Sequence, residues 1–553
     1  MTAPLTAPAG RRDAGPPRAR TVPALLARAE DDFGDLEALV DDEVRWTFRE
    51  LAAEVRRCAA AMIAAGVAAG DRVSLWAPNG HRFVVAALGA VSVGAVLVPI
   101  NTRYKGDEAG WILGKSGARL LLVENGFLGN DYLAMLRAAA AGQPAAPGRP
   151  LAGLPGLRKV VILGAASDAD ADSFEDFLAA GNVVAVGQVT ARMNAVAGAD
   201  VSDMFFTSGT TGRPKGATTT HGQNVAVYEA WSGGVGLRRG DRYLLVNPLF
   251  HTFGYKAGLL ACLITGATMV LQAVFDADRS LQLIGAERVS VVPGPPTLYA
   301  SLLDHPARSR TDVSSLRLAV TGAAVVPVVL VERMRAELFP EVVIAYGMTE
   351  TCGTATVGDP RADAETIAKT VGRPIAGTEV AIADTDGGIL PAGQRGEVLV
   401  RGYNVMKGYF DDAAATADAI DADGWLHTGD VGFLGPDGNL RITDRLKDVF
   451  VVGGFNAYPA EIEQLIARHP KVSEAAVIGV PDSRLGEVGQ AYVIPRPGAD
   501  VSPAEIIEFC RERLANFKVP RQVVIVPALP RNAAGKVLKY VLRDEAVASP
   551  ARD

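Results

Sequence analysis

The chain has 553 residues, 49% hydrophobic and 21% charged, a composition that implies large buried cores and excludes disorder as the main state. Its formal net charge of -7 gives no basis for a nucleic-acid or acidic-membrane partner. The four cysteines (Cys58, Cys262, Cys352, Cys510) lack C-x-x-C spacing, so neither a zinc site nor a disulfide framework is expected, and a reducing cytoplasm fits.

Residues 1–20 carry Pro, Gly and Arg without an apolar core, which predicts a disordered tail and excludes a secretory signal. Strand-like runs then alternate with helical stretches: RVSLWAP (72–78), LLLVEN (120–125), KVVILG (159–164), RYLLVNP (242–248), ATMVLQ (267–272) and VSVVPG (289–294). That alternation predicts an α/β body with buried sheets. The longest apolar run, Phe83 to Ile100, is broken by Gly89, Gly94 and Pro99. It reads as a buried helix leading into a core strand rather than a membrane span. The Pro- and Gly-rich stretch at 138–156 predicts a surface loop.

After Gly393 the pattern shifts to closely spaced strands, EVLVRG (397–402), WLHTGDVGFL (425–434) and NLRITD (439–444). A compact section follows, with a helix burying Ile462, Leu465 and Ile466, the strands AAVIGV (475–480) and AYVIP (491–495), and a helix from about Ser502 to Leu514. The expected division is a large domain over 21–444, a hinge at 445–448 and a small α+β domain over 449–545.

The segment TSGTTGRPKG (207–216) packs four hydroxyls, three glycines and one lysine into ten residues. It departs from the common phosphate loop, because Arg213 and Pro214 separate Gly212 from Lys215. Its ingredients still suit an anion: glycines let backbone amides approach, and the hydroxyls and ammonium add donors. A solvated turn is the alternative. Downstream, in order, come AYGMTE (345–350), HTGD (427–430), DRLKD (444–448), GGFNAYPAEIE (453–463) and PRNAAGKVLK (530–539).

Together these motifs resemble the acyl-adenylate-forming superfamily, which includes acyl-CoA synthetases, firefly luciferases and peptide-synthetase adenylation domains. The likeness runs from about residue 20 nearly to the end. It implies a large N-terminal domain of two α/β subdomains plus a small β-barrel-like region, followed by a small mobile α+β C-terminal domain. The substrates implied are ATP with Mg²⁺, a small carboxylic acid and coenzyme A, without integral membrane association, in a monomer or homodimer.

Residue by residue, the likeness makes Thr207, Ser208, Gly209, Thr210, Thr211, Gly212 and Lys215 the loop over the β- and γ-phosphates. Tyr346, Gly347, Met348 and Thr349 form the adenine and α-phosphate segment, and Glu350 is the Mg²⁺ ligand, a hard oxygen for a hard cation. Asp430 and Arg445 reach the ribose. Gly322 and Ala323 line the space between adenine and acyl chain, and His251 stands at the mouth of the acyl pocket. Lys536 meets the substrate carboxylate and the α-phosphate, where a fixed cation offsets charge built up by in-line attack. The small domain turns about Lys447, beside Asp448, for the second half-reaction, and Gly454 leaves room for pantetheine. Each of these, taken singly, has an ordinary structural reading as a turn, cap or core residue.

Stretches 247–268, 291–309 and 319–334 resemble one group in particular, the acyl-CoA synthetases of bacterial sterol degradation that activate the propanoate arm of a hexahydroindanedione. For such an acid, Gly254, Gly294, Gly322, Ala323 and Ala324 are expected to leave volume for fused rings. Tyr255 and Lys256 are expected to meet ring ketones. The alternatives are a medium-chain or branched fatty acid, or loading of a carrier protein. A non-catalytic nucleotide binder is the reading from another class.

Overall fold

The computed structural model describes residues 20–143, 148, 150–207, 214–322, 326–452, 455–482, 484–514, 516–531 and 537–548. Two large sheets form the body. The first has nine strands, in the spatial order Arg373–Pro374, Thr356–Val357, Glu341–Tyr346, Leu318–Gly322, Val291–Pro293, Arg242–Leu245, Thr268–Leu271, Glu37–Asp41 and Val44–Thr47. Its six central strands run parallel, and antiparallel pairs finish both edges. The second has eight strands, with Val96–Pro99, Arg72–Trp76, Leu120–Val123 and Lys159–Ile162 parallel at its centre.

All six strands expected in the body form. They are continuous Val, Ile and Leu runs because helices cover both faces of a parallel sheet, so alternation is not needed. Helix His81–Ser92 runs into strand Val96–Pro99, and every residue from Phe83 to Ile100 is buried. Among the described residues no helix is long and apolar enough to cross a membrane.

The small β-rich region is a four-stranded antiparallel sheet, Thr378–Ala383, Gly396–Gly402, Leu426–Leu434 and Leu440–Arg445. Its last strand ends at the expected hinge. Beyond it a five-stranded sheet is built around the hairpin Val472–Asp482 and Gly486–Pro495. Helix Pro459–Ile466 buries Ile462 and Ile466 against that sheet, and helix Pro503–Arg511 is capped by Ser502, whose hydroxyl accepts from Glu505 N. These residues share a hydrophobic core of their own.

Contacts between this section and the rest include two at its first helix. Asp444 Oδ2 accepts from Ala460 N at 2.8 Å, capping the helix Pro459–Ile466 from the strand before the hinge. The Arg395 guanidinium lies 4.4 Å from the centroid of the Tyr458 ring.

Candidate active site

Strands Val201–Thr207 and Lys215–Thr220 pair antiparallel, and Thr207 stands opposite Lys215. These paired strands flank the Ser/Gly/Thr segment in sequence. Ser208, Gly209, Thr210, Thr211 and Gly212 lie outside the described residues, as do Ala323, Ala324, Gly454 and Lys536. At the loop's base the Lys215 ammonium sits 5.2 Å from the centroid of the Tyr409 ring.

Glu350 comes to the same place from the other large sheet. It lies in the single turn Thr349–Thr351 that follows strand Glu341–Tyr346, and it is buried. Its Oε1 accepts from Tyr409 OH at 2.8 Å and from Thr207 Oγ1 at 3.3 Å. Burial and the adjacent carboxylate hold the Tyr409 phenol well above its usual range. Three hard oxygens therefore gather beside Thr207, where the Ser/Gly/Thr segment begins. Among the described residues no cluster of three or more His, Cys, Asp or Glu side chains could hold a metal. One carboxylate with hydroxyls fits Mg²⁺, which dehydrates reluctantly and is commonly held by one or two carboxylates plus substrate phosphates.

A second cluster lies at the C-terminal end of the same strand. The Asp430 carboxylate accepts from Tyr346 OH at 2.6 Å and is ion-paired with Arg445, whose Nε lies 2.7 Å from its Oδ1. Asp430 and Arg445 are cross-strand partners in the four-stranded sheet, so their pairing follows from register. Gly322 and Ala345 are partners in adjacent parallel strands, and a Cβ on Gly322 would press on the Ala345 carbonyl. At Gly347 a Cβ would collide with the backbone of Gly353 and Thr354. Glycine at these two positions serves close backbone approach. Lys447 and Asp448 share the turn Leu446–Asp448, where Asp448 Oδ1 bonds Arg543 at 2.6 Å.

The expected acyl wall comes out differently. His251 is exposed, and its Nδ1 accepts from Phe253 N at 3.2 Å. Lys256, expected to meet a ring ketone, is fully buried and ion-paired to Asp203 Oδ1 at 2.9 Å. Its other donors go to Thr219 Oγ1 at 2.7 Å and Cys352 Sγ at 3.5 Å. An ammonium has three hydrogens, and all three are used. Burial works to lower the Lys256 pKa, but Asp203 and Cys352 outweigh it and the pKa rises. Tyr255 is also fully buried; its hydroxyl has no partner among the described residues, and its ring centroid lies 6.0 Å from that of Phe205. A Cβ on Gly254 would fall onto the Pro248 carbonyl, and one on Gly294 would meet Leu298 Cδ1 at 2.7 Å. These glycines admit neighbouring protein atoms, so they do not by themselves leave space for rings.

Sequence reasoning missed Tyr409, which sits in the stretch GYNVMKGYF (402–410). It also missed Asp203 and Cys352, although each lies a few residues from a motif that was singled out.

The signature of the AMP-binding enzyme family matches residues 26–410, and that of the AMP-binding enzyme C-terminal domain matches residues 461–536. The chain belongs to this family of adenylate-forming ligases. It is 52% identical over 526 residues, covering 95% of this chain and 99% of the relative, to a 3-[(3aS,4S,7aS)-7a-methyl-1,5-dioxo-octahydro-1H-inden-4-yl]propanoyl:CoA ligase of Mycobacterium tuberculosis. A ligase of the same name from Rhodococcus jostii is 49% identical, covering 95% of this chain and 98% of its own. Among solved structures, an anthranilate CoA ligase in complex with anthranoyl-AMP superposes with a TM-score of 0.84 at 28% identity, over 96% of this chain and 98% of that one.

Proposed function

We propose that this acid–thiol ligase activates the propanoate side chain of a steroid-derived hexahydroindanedione. In the first half-reaction the acid's carboxylate oxygen attacks the α-phosphorus of ATP, pyrophosphate leaves, and an acyl-adenylate remains. In the second the thiol of coenzyme A attacks the acyl carbon and AMP leaves. The observation that carries the choice of acid is the 52% identity over 95% of this chain to a ligase named for that acid. The polarity of the acyl wall no longer supports it, because Lys256 is committed to Asp203.

Within this reading Thr207 and Lys215, with the loop between them, hold the β- and γ-phosphates. Tyr346 packs on adenine, and Asp430 takes the ribose hydroxyls, supported by Arg445. Glu350, with the hydroxyls of Thr207 and Tyr409 around it, would hold Mg²⁺, which supplies charge neutralisation on the phosphates when bound. Lys536 aligns the acid with the α-phosphate, and rotation about Lys447 then brings Gly454 to the pantetheine path. The free, buried state of all four cysteines supports work in a reducing cytoplasm.

The test is AMP formation with coenzyme A present, comparing kcat/KM for the indanedione propanoate with octanoate and a cinnamate. Preference for the indanedione acid is expected, and preference for octanoate overturns the choice of acid while leaving the ligase chemistry in place. Lys536→Ala separates the half-reactions: adenylation should fall on the order of 10²-fold or more, while thioester formation from supplied acyl-adenylate persists. Equal loss of both would remove Lys536 from its assigned place.

A further inference from the structure

We infer that the buried Asp203–Lys256 pair, with Thr219, Asn224 and Cys352, is a positioning device that locks the acid-side helix to the Glu350 turn and to the phosphate-loop hairpin. The inference rests on the adenylating reading above.

Three segments, together with Asn224 on the helix His221–Val235 that follows the hairpin, contribute to one closed set of bonds. Asp203 lies on the strand entering the phosphate loop and Thr219 on the strand leaving it. Lys256 lies in the widened helical turn Tyr255–Leu260, just after His251. Cys352 follows the turn that carries Glu350. Asp203 Oδ1 takes Lys256 Nζ at 2.9 Å and Thr219 Oγ1 at 2.6 Å. Asp203 Oδ2 takes Ser202 Oγ at 2.6 Å and the amide of Asn224. Cys352 Sγ closes the ring by donating to Asn224 Oδ1 at 3.0 Å. Asp203, Asn224, Lys256 and Cys352 are all 0% exposed, so no substrate touches them.

Three features make geometry, rather than stability, the use of this network. A buried ion pair is a weak source of net stability, since apolar residues of similar volume often do as well or better. Its bonds are directional, and here they fix segments whose local conformation is otherwise poorly determined. The turn Tyr255–Leu260 is a π-helix, a form that is rare and concentrates at functional sites. Cys352 stands at φ 56°, a left-handed conformation that a non-glycine residue holds only when its surroundings impose it. The two meet through Lys256, whose Nζ lies 3.5 Å from Cys352 Sγ. Shifting Lys256 therefore shifts the acid's wall relative to Glu350 and the phosphate loop, the two things that in-line attack must align.

The test uses the full chain and reads pyrophosphate release at varied acid concentration, with stability followed by urea unfolding. The double variant Asp203→Asn with Lys256→Met removes both charges and keeps volume. It is expected to fold, with kcat for adenylation reduced by about 10²-fold and KM for the acid raised by about 10-fold. Thr219→Val keeps both charges and removes the bridging hydroxyl; a smaller loss in the same two parameters is expected. A merely structural network would lower kcat in proportion to the folded fraction and leave KM for the acid unchanged, and that result overturns the inference. Should the double variant fail to fold, Thr219→Val decides: wild-type kcat and KM there also overturn it. Absence of pyrophosphate release from the wild type with every acid would instead refute the adenylating reading.

Discussion

Asp203 and Asp430 each anchor an ion pair, and the surroundings of the two pairs differ. Asp203 and Lys256 are both 0% exposed, and every hydrogen of the ammonium is taken by protein. Asp430 is as hidden, at 3%, but its partner Arg445 is 35% exposed and the Tyr346 that also bonds it is half-buried. The first pair is closed to any ligand. The second is open along one side, where a sugar's hydroxyls could compete for the carboxylate and the exposed guanidinium keeps donors in reserve. Charge in a family motif marks a ligand site only where the structure leaves bonding capacity unspent.

The sharpest way to break this comparison is to remove one cation from each pair. Lys256→Met alone leaves Asp203 buried and unpaired, which should cost about 3–5 kcal/mol of stability in urea unfolding. Arg445→Met leaves Asp430 with the Tyr346 hydroxyl and lets water enter where the part-exposed guanidinium stood, so the loss of stability should be smaller than for Lys256→Met. Similar unfolding midpoints for the two variants would show that the closed and open pairs do not differ energetically.

The open pair should instead fail in function. Asp430→Asn keeps size and removes charge, losing charged hydrogen bonds worth together about 2–3 kcal/mol, or roughly 10²-fold in kcat/KM for ATP. KM for coenzyme A should not move. A loss under twofold for ATP would take Asp430 out of the nucleotide site. Tyr409→Phe tests the link between the loop base and Glu350 more gently. One hydrogen bond is lost, so about a fivefold fall in kcat/KM for ATP is expected, with higher Mg²⁺ needed for half-maximal rate. An unchanged Mg²⁺ dependence would separate Tyr409 from the metal position.

Much of the fold was legible because local and global signals agree. Runs such as LLLV at 120–123 are too short for a helix and lie between helical stretches, and they form central parallel strands. The candidate nucleotide residues stand in motifs, yet sequence alone could not say which groups they meet. The bond from Tyr409 to Glu350 spans 59 residues and depends on the edge strand Gly408–Tyr409 joining the phosphate-loop hairpin. The reading of Lys256 failed for the same kind of reason. Its partner Asp203 lies 53 residues earlier, on the strand Val201–Thr207, and only the fold brings the two together. Gly254 was misread as empty space because a sequence does not reveal that the Pro248 carbonyl occupies it.

The smallest expected effect concerns the aspartate at the join between the four-stranded sheet and the C-terminal section. Asp444 is buried, and desolvation pushes its pKa up to about 6, against the pull of Lys539 and of the amides of Ala460 and Arg445, with Glu463 adding to the rise. Lys539 is itself paired with Glu463 at 2.8 Å, which blunts its help to Asp444. A carboxyl raised in the folded state contributes stability that is present below its ordinary pKa and is lost as pH rises through the folded value. Between about pH 4 and 6 this group's contribution should therefore decline with rising pH, and above that range its charge weighs steadily against the docked arrangement. Asp444→Asn keeps an oxygen for Ala460 N and carries no charge. Its thermal midpoint should match wild type near pH 4 and rise above it by a small margin at pH 7.5. If wild type and variant instead run parallel across that range, Asp444 titrates at an ordinary carboxylate value, and the join with the small domain is indifferent to pH.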